Sequence, residues 1–304
     1  MRNETVILTG ASGVIGRQFL KKLQSLDYFI YALYNTKLPP SNVDGGGIVV
    51  YKIGDLAEDG YVQSLPEADI IIHCASPSSP EEFQKDPVKT LALNTSVTKE
   101  LLGRLKERGR FLFLSSSEVY SGNPNSPYME NYVVKVSEDH PRACYINGKI
   151  GGENICLAAG KYVIIARLAH IYGEGTNSGD GRMIYDFIKQ ALIYGGITIK
   201  GNADYVRSYC YVADAVEMMW NVLLHGKYHT YNIGGERPIT IREMGATIAK
   251  LTDAFCVSND TIINDGSPAS GELDMTRYNS EFGKYNYTPL EEGLKKVIEY
   301  YRTL

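Results

Sequence analysis

The segment "TVILTGASGVIG", residues 5–16, places a short apolar run before a glycine-rich turn and the start of a helix. Gly10 lets the chain turn tightly, Gly13 lets backbone N–H groups approach a diphosphate, and Gly16 lets the helix pack closely on the strand. The N–H groups of the helix N-terminus would then face the diphosphate. This order of strand, glycines and helix predicts a βαβ unit that binds a dinucleotide.

The same alternation of strands and helices continues beyond this segment. Apolar runs such as "DIIIHCA", residues 69–75, are typical of parallel strands that are covered on both faces. The expected strands span residues 5–9, 29–33, 48–53, 69–74, 110–115 and 162–167, and the expected helices lie near 14–26, 87–108 and 142–160. The sequence therefore predicts an α/β fold built on a Rossmann-type, doubly wound parallel sheet.

The pattern of the chain changes after residue 170. Helices are expected near 182–194, 212–224, 240–252 and 289–302, with a short strand at "SYCYV", residues 208–212, and a polar loop at Asp260–Gly271. We expect residues 1–168, joined by about 205–235, to form a dinucleotide-binding domain. Residues 169–304 would form mainly a smaller C-terminal substrate-binding lobe, with a cleft between the two parts.

The composition argues against several classes of protein. The chain has 31 basic and 35 acidic residues and a formal net charge of −4, so no general attraction to nucleic acid or to an anionic membrane is expected. No apolar stretch approaches the roughly 20 residues that span a bilayer, and the N-terminus lacks the features of a signal peptide. Five cysteines without a CxxC spacing argue against a disulfide framework and a metal site, and free thiols predict a cytoplasmic protein.

The segment "YINGK", residues 145–149, places Tyr145 and Lys149 on one face of a predicted helix because they are four residues apart. An unperturbed phenol has a pKa of about 10, and a neighbouring ammonium group favours its ionised form. A cation roughly 4 Å away in an effective dielectric of about 20 contributes ~4 kcal/mol at most, or about three pKa units. We therefore expect Lys149 to lower the pKa of Tyr145, and Tyr145 to act as a general base near neutral pH.

The segment "SSSEVYSG", residues 115–122, follows the apolar run 111–114, so its hydroxyl groups and its carboxylate stand at the end of a buried strand. In an open α/β sheet, ligands bind beyond the carboxyl ends of the strands. These polar side chains are therefore expected to face the same ligand as Tyr145.

The glycine spacing after Thr9, together with the YxxxK pattern, resembles the extended short-chain dehydrogenase/reductase family. That resemblance implies that Asp55 of "GDL" contacts the adenine, that the "HCAS" turn at 73–76 lies beside the adenosine ribose, and that Lys149 also holds the nicotinamide ribose. The implied cofactor is a tightly bound NAD or NADP. Its implied contacts are Gly10, Ser12, Gly13, Val14, Ile15, Gly16, Asn35, Asp55, Leu56, Cys74, Ala75, Ser76, Asn94, Ser115, Tyr145 and Lys149.

The resemblance also implies roles in the chemistry. Ser116 occupies the family's Ser/Thr position and would hydrogen-bond the substrate hydroxyl that loses its proton to Tyr145, whereas Ser115 would cap the strand end. Ser117 followed by Glu118 resembles the UDP-glucuronate decarboxylases, and Glu118 would orient the sugar or handle a proton. Segments that share this likeness span residues 73–95, 141–149, 179–192, 206–214 and 287–302.

Several positions depart from the family pattern. His170 stands where an asparagine usually contacts the substrate diphosphate, and Ile146 and Asn147 replace the acidic residues that usually follow the tyrosine. Arg207 is retained and could bind a phosphate or a carboxylate. The expected substrate contacts are therefore Ser117, His170 and Arg207.

The end of the second predicted strand, "ALYNTK" at residues 32–37, carries no carboxylate for a ribose 2′-hydroxyl. NAD enzymes usually place Asp or Glu there, where this chain has Tyr34 and Asn35. Lys37 follows closely and could meet a 2′-phosphate, so the pattern leaves NADP open beside NAD.

The resulting hypothesis is an enzyme that modifies a nucleotide sugar through a 4-keto intermediate. Tyr145 would remove the C4 hydroxyl proton while the cofactor accepts the C4 hydride, after which a C6 carboxylate can leave as CO₂. Decarboxylation fits the motifs best, and the alternatives are C4 epimerisation, 4,6-dehydration and reduction of a keto sugar by NADPH. A non-catalytic dinucleotide sensor of this fold would typically lack the tyrosine and lysine that this chain keeps. The resemblance further implies a homodimer formed through the helices near 87–108 and 142–160.

Overall fold

The glycine-rich segment begins with an interior strand of a seven-stranded parallel sheet. The computed structural model describes residues 4–36, 47–77, 79–175, 180–259, 266 and 268–304. The strands are β1 (Thr5–Thr9), β2 (Phe29–Tyr34), β3 (Ile48–Ile53), β4 (Ala68–His73), β5 (Leu105–Ser116), β6 (Tyr162–Leu168), β7 (His170–Tyr172), β8 (Gly196–Lys200), β9 (Val206–Tyr211), β10 (Thr230–Ile233), β11 (Pro238–Thr240), β12 (Phe255–Asn259) and β13 (Ser270–Gly271). The helices are α1 (Val14–Ser25), α2 (Pro80–Lys85), α3 (Pro87–Asn94), α4 (Ser96–Gly103), α5 (Ala143–Ala158), α6 (Met183–Tyr194), α7 (Val212–His225), α8 (Ile241–Thr252), α9 (Thr276–Phe282) and α10 (Leu290–Tyr301).

The main sheet has the strand order β10-β6-β5-β4-β1-β2-β3, and every neighbouring pair in it is parallel. Hydrophobic cores cover both of its faces. Along β4, Ile70 and Ile72 point into one core and Ile71 into the other, because successive side chains of a strand alternate between faces. Helices α1 and α7 pack over the first core, and α3, α4 and α5 cover the second. The predicted Rossmann-type sheet is therefore confirmed.

The single helix predicted near 87–108 is wrong. Helices α3 and α4 together end at Gly103, and β5 begins at Leu105, so the charged residues 106–108 lie in a strand. Gly109 allows this strand to approach β4 closely, since a Cβ there would lie 2.9 Å from a carbonyl oxygen of β4. The charged side chains at the start of β5 resemble an exposed helix end in polarity, so composition alone does not distinguish the two structures.

Beyond β6 the chain builds two small sheets. Strand β9 pairs antiparallel with β11 and parallel with β13 and β7, while β12 pairs in parallel with β8. The chain returns to the main sheet through α7 and β10, which pairs in parallel with β6. Asp214 of α7 accepts hydrogen bonds from the N–H and the hydroxyl of Thr288, at 2.8 and 2.9 Å. These bonds join α7 to the segment that precedes α10.

Two sequence predictions fall partly or wholly outside the described residues. Lys37 is not among them, and of the loop predicted at Asp260–Gly271 the structure describes Gly266 and residues 268–271. None of the helices within the described ranges has the length and the apolar character that crossing a bilayer requires.

Candidate active site

The glycine turn brings the end of β1 against the turn that follows β4. Gly10 has a φ of 64°, and a Cβ there would lie 2.8 Å from the amide nitrogen of Ala75. A Cβ on Gly16 would lie 2.1 Å from the carbonyl oxygen of Gly10. Glycine at both positions therefore lets α1 begin at Val14, with its N-terminus just beyond the carboxyl end of β1.

A cavity of about 930 Å³, here called the glycine-turn cavity, opens beyond the carboxyl ends of β1, β2 and β4. Its volume is in the range of cofactor pockets. The residues expected at the cofactor that line it are Gly10, Ser12, Gly13, Val14, Asn35, Asp55, Leu56, Cys74, Ala75 and Ser76. Its described lining also includes charged residues that sequence reasoning missed, among them Arg17, Lys89, Asp180 and Arg182.

Six residues expected at the cofactor are absent from the described lining of this cavity, namely Ile15, Gly16, Asn94, Ser115, Tyr145 and Lys149. Two of them hydrogen-bond other side chains. Asn94 donates to the hydroxyl oxygen of Ser76 at 3.2 Å, and Ser115 donates to Oε1 of Glu153 at 2.5 Å. Asn94 thus holds a residue of the lining in place, and Ser115 ties the end of β5 to α5.

Two of the missed cations contact residues that were expected at the cofactor. The Nε of Arg17 donates to the carbonyl oxygen of Ser12 at 2.8 Å. Lys89 of α3 forms an ion pair with Asp55, and the hydrogen bond from Lys89 lowers the pKa of that carboxyl group. Arg17 directly follows the third glycine, so its position could have been noticed in the sequence. Lys89 lies 34 residues from Asp55 and carries no comparable signal.

Tyr145 and Lys149 lie close together on α5, as their spacing predicts. The Nζ of Lys149 lies 5.6 Å from the centre of the Tyr145 ring and donates to the carbonyl oxygen of Leu114 at 2.7 Å. Burial lowers the pKa of Lys149 to about 7. Burial, followed by the negative charge of Glu118, raises the pKa of Tyr145 to about 12. The expectation that Lys149 would lower the pKa of Tyr145 is therefore wrong for this structure, because burial disfavours the charged form of both groups.

The phenol of Tyr145 lies between a hydroxyl group and an aromatic ring. Ser116, at the end of β5, hydrogen-bonds the phenol and acts against the rise in its pKa. On the other side, the ring of Phe83 stacks on the Tyr145 ring, with centroids 4.9 Å apart and an interplanar angle of 16°. Phe83 belongs to α2, whose first turn is closed by reciprocal hydrogen bonds between Ser79 and Glu82. The structure brings Ser116 to the place that the motif implied, whereas Phe83 was missed.

A second, smaller space lies beside the short turn that follows β5. It is here called the arginine pocket, and its described lining consists of Ser117, Glu118, Ser121, Tyr128, Arg142, His170, Arg207, Pro268 and Gly271. Oε1 of Glu118 accepts a hydrogen bond from Nη1 of Arg142 at 2.6 Å, and both side chains are largely buried. The structure thus brings together all the expected substrate contacts. It adds Arg142, three residues before Tyr145, which sequence reasoning missed.

His170 contributes a neutral ring to the arginine pocket. Its centroid lies 5.4 Å from that of Tyr209. Although the residue as a whole is exposed, loss of hydration of its ring lowers the pKa of His170 to about 3, with further lowering by the nearby guanidinium groups of Arg207, Arg142 and Arg182. His170 can therefore hydrogen-bond a ligand, but it adds no positive charge at neutral pH.

A buried ion pair supports the strand end and the helix that carry these groups. Nη2 of Arg167 lies 2.6 Å from Oε2 of Glu153, and Nη1 of Arg167 donates to the hydroxyl of Tyr120 at 2.9 Å. Glu153 also accepts from Ser115, and Tyr120 donates to Oδ1 of Asn232 at 2.8 Å. Because every bond in this network joins a different pair of segments, it fixes β5, β6, β10 and α5 relative to one another.

The stability of the cofactor-free protein should depend on pH through Lys149. Its pKa is about 7 in the folded chain and about 10.4 in an unfolded one, so between these values only the unfolded chain retains the proton. The contribution of Lys149 to the free energy of unfolding should therefore rise with pH in this window, by at most about 1.4 kcal/mol per pH unit. Urea unfolding from pH 7 to 9.5 measures it.

The matched variant for this measurement is Lys149→Met, which removes the titrating group. The free energy of unfolding of the wild type should increase relative to that of Lys149→Met as the pH rises. Parallel pH profiles for the two proteins would contradict the lowered pKa of Lys149.

A parallel sheet with this glycine turn, and Ser116, Tyr145 and Lys149 at its carboxyl edge, defines the class of dinucleotide-dependent α/β enzymes. The chain belongs to the NAD dependent epimerase/dehydratase family, which matches it over residues 6–234. The match extends from the first strand of the main sheet through β10, and the family resemblance read from the motifs is confirmed.

The relatives that this chain resembles include UDP-glucuronic acid decarboxylases. The chain is 30% identical over 305 residues to UDP-glucuronic acid decarboxylase 1 of Danio rerio, covering 97% of this chain and 72% of the relative. It is 28% identical over 306 residues to UDP-glucuronic acid decarboxylase 6 of Arabidopsis thaliana, covering 99% of this chain and 89% of the relative. Among solved structures, MoeE5 in complex with UDP-glucuronic acid and NAD has a TM-score of 0.81 at 23% identity, over 99% of each chain. This structural likeness supports the fold.

Proposed function

We propose that the chain modifies a nucleotide sugar through a 4-keto intermediate, as a decarboxylase of the UDP-glucuronate type. The observation that carries this proposal is that Tyr145 interacts with residues that line two different pockets. Its phenol hydrogen-bonds Ser116. The charge of Arg182, in the glycine-turn cavity, and that of Arg142, in the arginine pocket, lower the pKa of the phenol, and the charge of Glu118 in the arginine pocket raises it. Relatives near 30% identity are named UDP-glucuronic acid decarboxylases, which supports this choice within the family.

The residues of the glycine-turn cavity fit a nicotinamide dinucleotide. Gly10 and Gly16 leave no room for a Cβ, and the N-terminus of α1 can receive a diphosphate. Lys149, buried beside Tyr145, is proposed to hold the nicotinamide ribose. A dinucleotide bound there would supply the acceptor and donor of the C4 hydride.

In the proposed reaction, Tyr145 takes the proton of the C4 hydroxyl while Ser116 hydrogen-bonds that oxygen. The hydrogen bond from Ser116 and the positive charges of Arg142 and Arg182 favour the phenolate against the effect of burial. Oxidation at C4 turns a C6 carboxylate into a β-keto acid, which breaks its C5–C6 bond and leaves as CO₂. Glu118 orients the sugar or handles the proton that C5 then receives, and Tyr145 returns its proton when C4 is reduced.

The reaction is tested by incubating the protein with UDP-, dTDP-, GDP- and CDP-sugars and following the products by mass. We expect loss of CO₂ from UDP-glucuronate. An unchanged mass with a new stereoisomer would indicate 4-epimerisation, loss of water would indicate dehydration, and a gain of two hydrogens would indicate reduction. Dinucleotide binding without any product from the panel would instead favour the non-catalytic sensor.

NADP should bind at least as tightly as NAD. Asn35 follows the end of β2 and is exposed at the edge of the glycine-turn cavity, and neither Asn35 nor Thr36 offers the carboxylate that a ribose 2′-hydroxyl would use after Tyr34. Asn35→Asp should weaken NADP binding by about tenfold, because the new carboxylate repels a 2′-phosphate. Titration with both dinucleotides measures the ratio.

The control for this test is Asn125→Asp, which adds the same charge at an exposed position outside the cavity lining. It should leave both affinities unchanged. A strong preference of the wild type for NAD would contradict the interpretation of Tyr34 and Asn35.

Three further proposals concern organisation. We propose that residues 1–168, with about 205–235, bind the dinucleotide and that 169–304 form mainly the substrate-binding lobe, which the return of β10 to the main sheet supports. We propose a homodimer through α3, α4 and α5, the helices within 87–108 and 142–160, where Val88, Leu91 and Leu157 are exposed apolar residues. We propose a cytoplasmic location, supported by five free cysteines.

A further inference from the structure

The described lining of the glycine-turn cavity carries three cationic side chains, those of Arg17, Lys89 and Arg182. Two of them are paired with carboxylates. Lys89 is paired with Asp55, and Nη2 of Arg182 lies 2.7 Å from Oδ2 of Asp180. Arg17 forms no ion pair with a carboxylate in the part of the chain that the structure describes. Its positive charge is therefore available to an anion that binds in the cavity.

The side chain of Arg17 is held in place by two backbone contacts. Its Nε donates to the carbonyl oxygen of Ser12 at 2.8 Å, whereas Nη1 and Nη2 donate to none of the described residues. A Cβ added to Gly175 would lie 2.9 Å from Cδ of Arg17, so the chain at Gly175 passes close to the aliphatic part of the side chain. A guanidinium group that is already ordered loses less conformational freedom when it binds a ligand.

The guanidinium of Arg17 lies near the end of β2. Burial raises the pKa of Tyr34 to about 12, Tyr51 adds to this rise, and the positive charge of Arg17 acts against it. Asn35 and Thr36 follow Tyr34 and line the same cavity, and neither carries a negative charge. In dinucleotide-binding sheets, the end of the second strand meets the adenosine ribose, and an arginine nearby can accommodate the 2′-phosphate of NADP. Arg17 is therefore placed where such a phosphate would bind.

We propose that Arg17 binds the 2′-phosphate of NADP through Nη1 and Nη2 and thereby determines how the protein discriminates between NADP and NAD. This inference rests on the proposed function, because it assigns one contact within the proposed cofactor site. The planar guanidinium presents parallel N–H groups that match two oxygens of a phosphate. NAD has an uncharged hydroxyl at the same position, which gains much less from the positive charge of Arg17.

The test compares two pairs of ligands, and the members of each pair differ only in the 2′-phosphate. NADP and NAD form one pair, and adenosine 2′,5′-bisphosphate and AMP form the other. Calorimetry measures the affinity of each for the full chain, freed of any dinucleotide that copurifies. Arg17→Gln should weaken binding of NADP and of the bisphosphate by about 10- to 100-fold, the loss expected for charge-assisted hydrogen bonds to a phosphate. Binding of NAD and AMP should change little, since both lack the 2′-phosphate.

Two further variants accompany Arg17→Gln, which replaces one good helix former with another at an exposed position of α1 and should therefore fold. Arg17→Lys keeps the positive charge but loses the planar group, so it should retain part of the affinity for the 2′-phosphate. Arg108→Gln removes the same charge at an exposed position on β5, outside the described lining of the cavity. It is the matched control and should leave all four affinities unchanged.

The outcomes for Arg17 are distinguishable. Equal losses for NADP and NAD in Arg17→Gln would overturn the inference, because Arg17 would then contact a group that both dinucleotides share or support the position of α1. Unchanged affinity of Arg17→Gln for NADP and for the bisphosphate would overturn it as well. Failure of the wild-type protein to bind any of the four ligands would instead contradict the proposed function, and the inference with it.

Discussion

Replacing Tyr145 with phenylalanine is expected to reduce turnover by about 10²- to 10⁴-fold, the range that a positioned general acid or base contributes. The substitution removes only the hydroxyl and keeps the ring that stacks on Phe83 at 4.9 Å. Dinucleotide affinity should be unchanged, because Tyr145 is absent from the described lining of the glycine-turn cavity. The measurements are the rate of CO₂ release from UDP-glucuronate and a titration with the dinucleotide.

Tyr194→Phe provides the matched control for this prediction. Tyr194 ends α6 and its side chain is 76% exposed, so loss of its hydroxyl should affect neither turnover nor binding. Near-normal turnover of Tyr145→Phe would contradict the proposal that Tyr145 is the general base.

Replacing Gly16 with alanine is expected to disrupt the glycine turn. The added Cβ would lie 2.1 Å from the carbonyl oxygen of Gly10 and 2.9 Å from the Cα of Ala11. Backbone atoms cannot rotate away as a flexible side chain can, so α1 must move off β1, and overpacking of this kind typically destabilises by about 1–3 kcal/mol. Because the helix N-terminus moves with α1, dinucleotide affinity should fall by about tenfold or more.

Urea unfolding and dinucleotide titration measure the two effects of Gly16→Ala. Gly103→Ala is the control, since a Cβ added at the end of α4 meets no described atom within 4 Å beyond its chain neighbours and the backbone of its own helix. It should leave dinucleotide affinity unchanged and should not destabilise the fold, because alanine suits a helix better than glycine. A Gly16→Ala protein with wild-type stability and wild-type affinity would show that α1 does not depend on its close approach to β1.

The main sheet could be predicted because each of its strands is marked by a short stretch of the sequence. Each strand is a short apolar run, and the turn at 10–16 uses glycine for reasons that the backbone geometry confirms at Gly10 and Gly16. The alternation of β-strands and helices then favours a parallel sheet. The boundary at 103–105 could not be predicted in this way, because the charged residues after it suit an exposed strand and an exposed helix equally well.

The candidate site was predicted where a motif carries it and missed where only tertiary contacts do. Tyr145 and Lys149 are four residues apart on one helix, so their proximity follows from helical geometry. The Arg142–Glu118 pair joins residues 24 positions apart, and no spacing in the sequence marks it. The pKa of Tyr145 was predicted in the wrong direction because burial, which the sequence does not report, opposes ionisation more than the neighbouring cations favour it.

Helix α2 shows that the orientation of the phenol depends on a segment outside the YxxxK motif. Phe83 is 2% exposed and stacks on Tyr145, and its carbonyl oxygen accepts a hydrogen bond from Sγ of Cys144 at 3.6 Å. The amide of Gln84 donates to the carbonyl oxygen of Pro141 at 3.1 Å, which attaches α2 to the approach to α5. If the motif were transferred into a related scaffold that lacks residues 79–86, the reacting groups would be present, but no contact with α2 would fix their orientation.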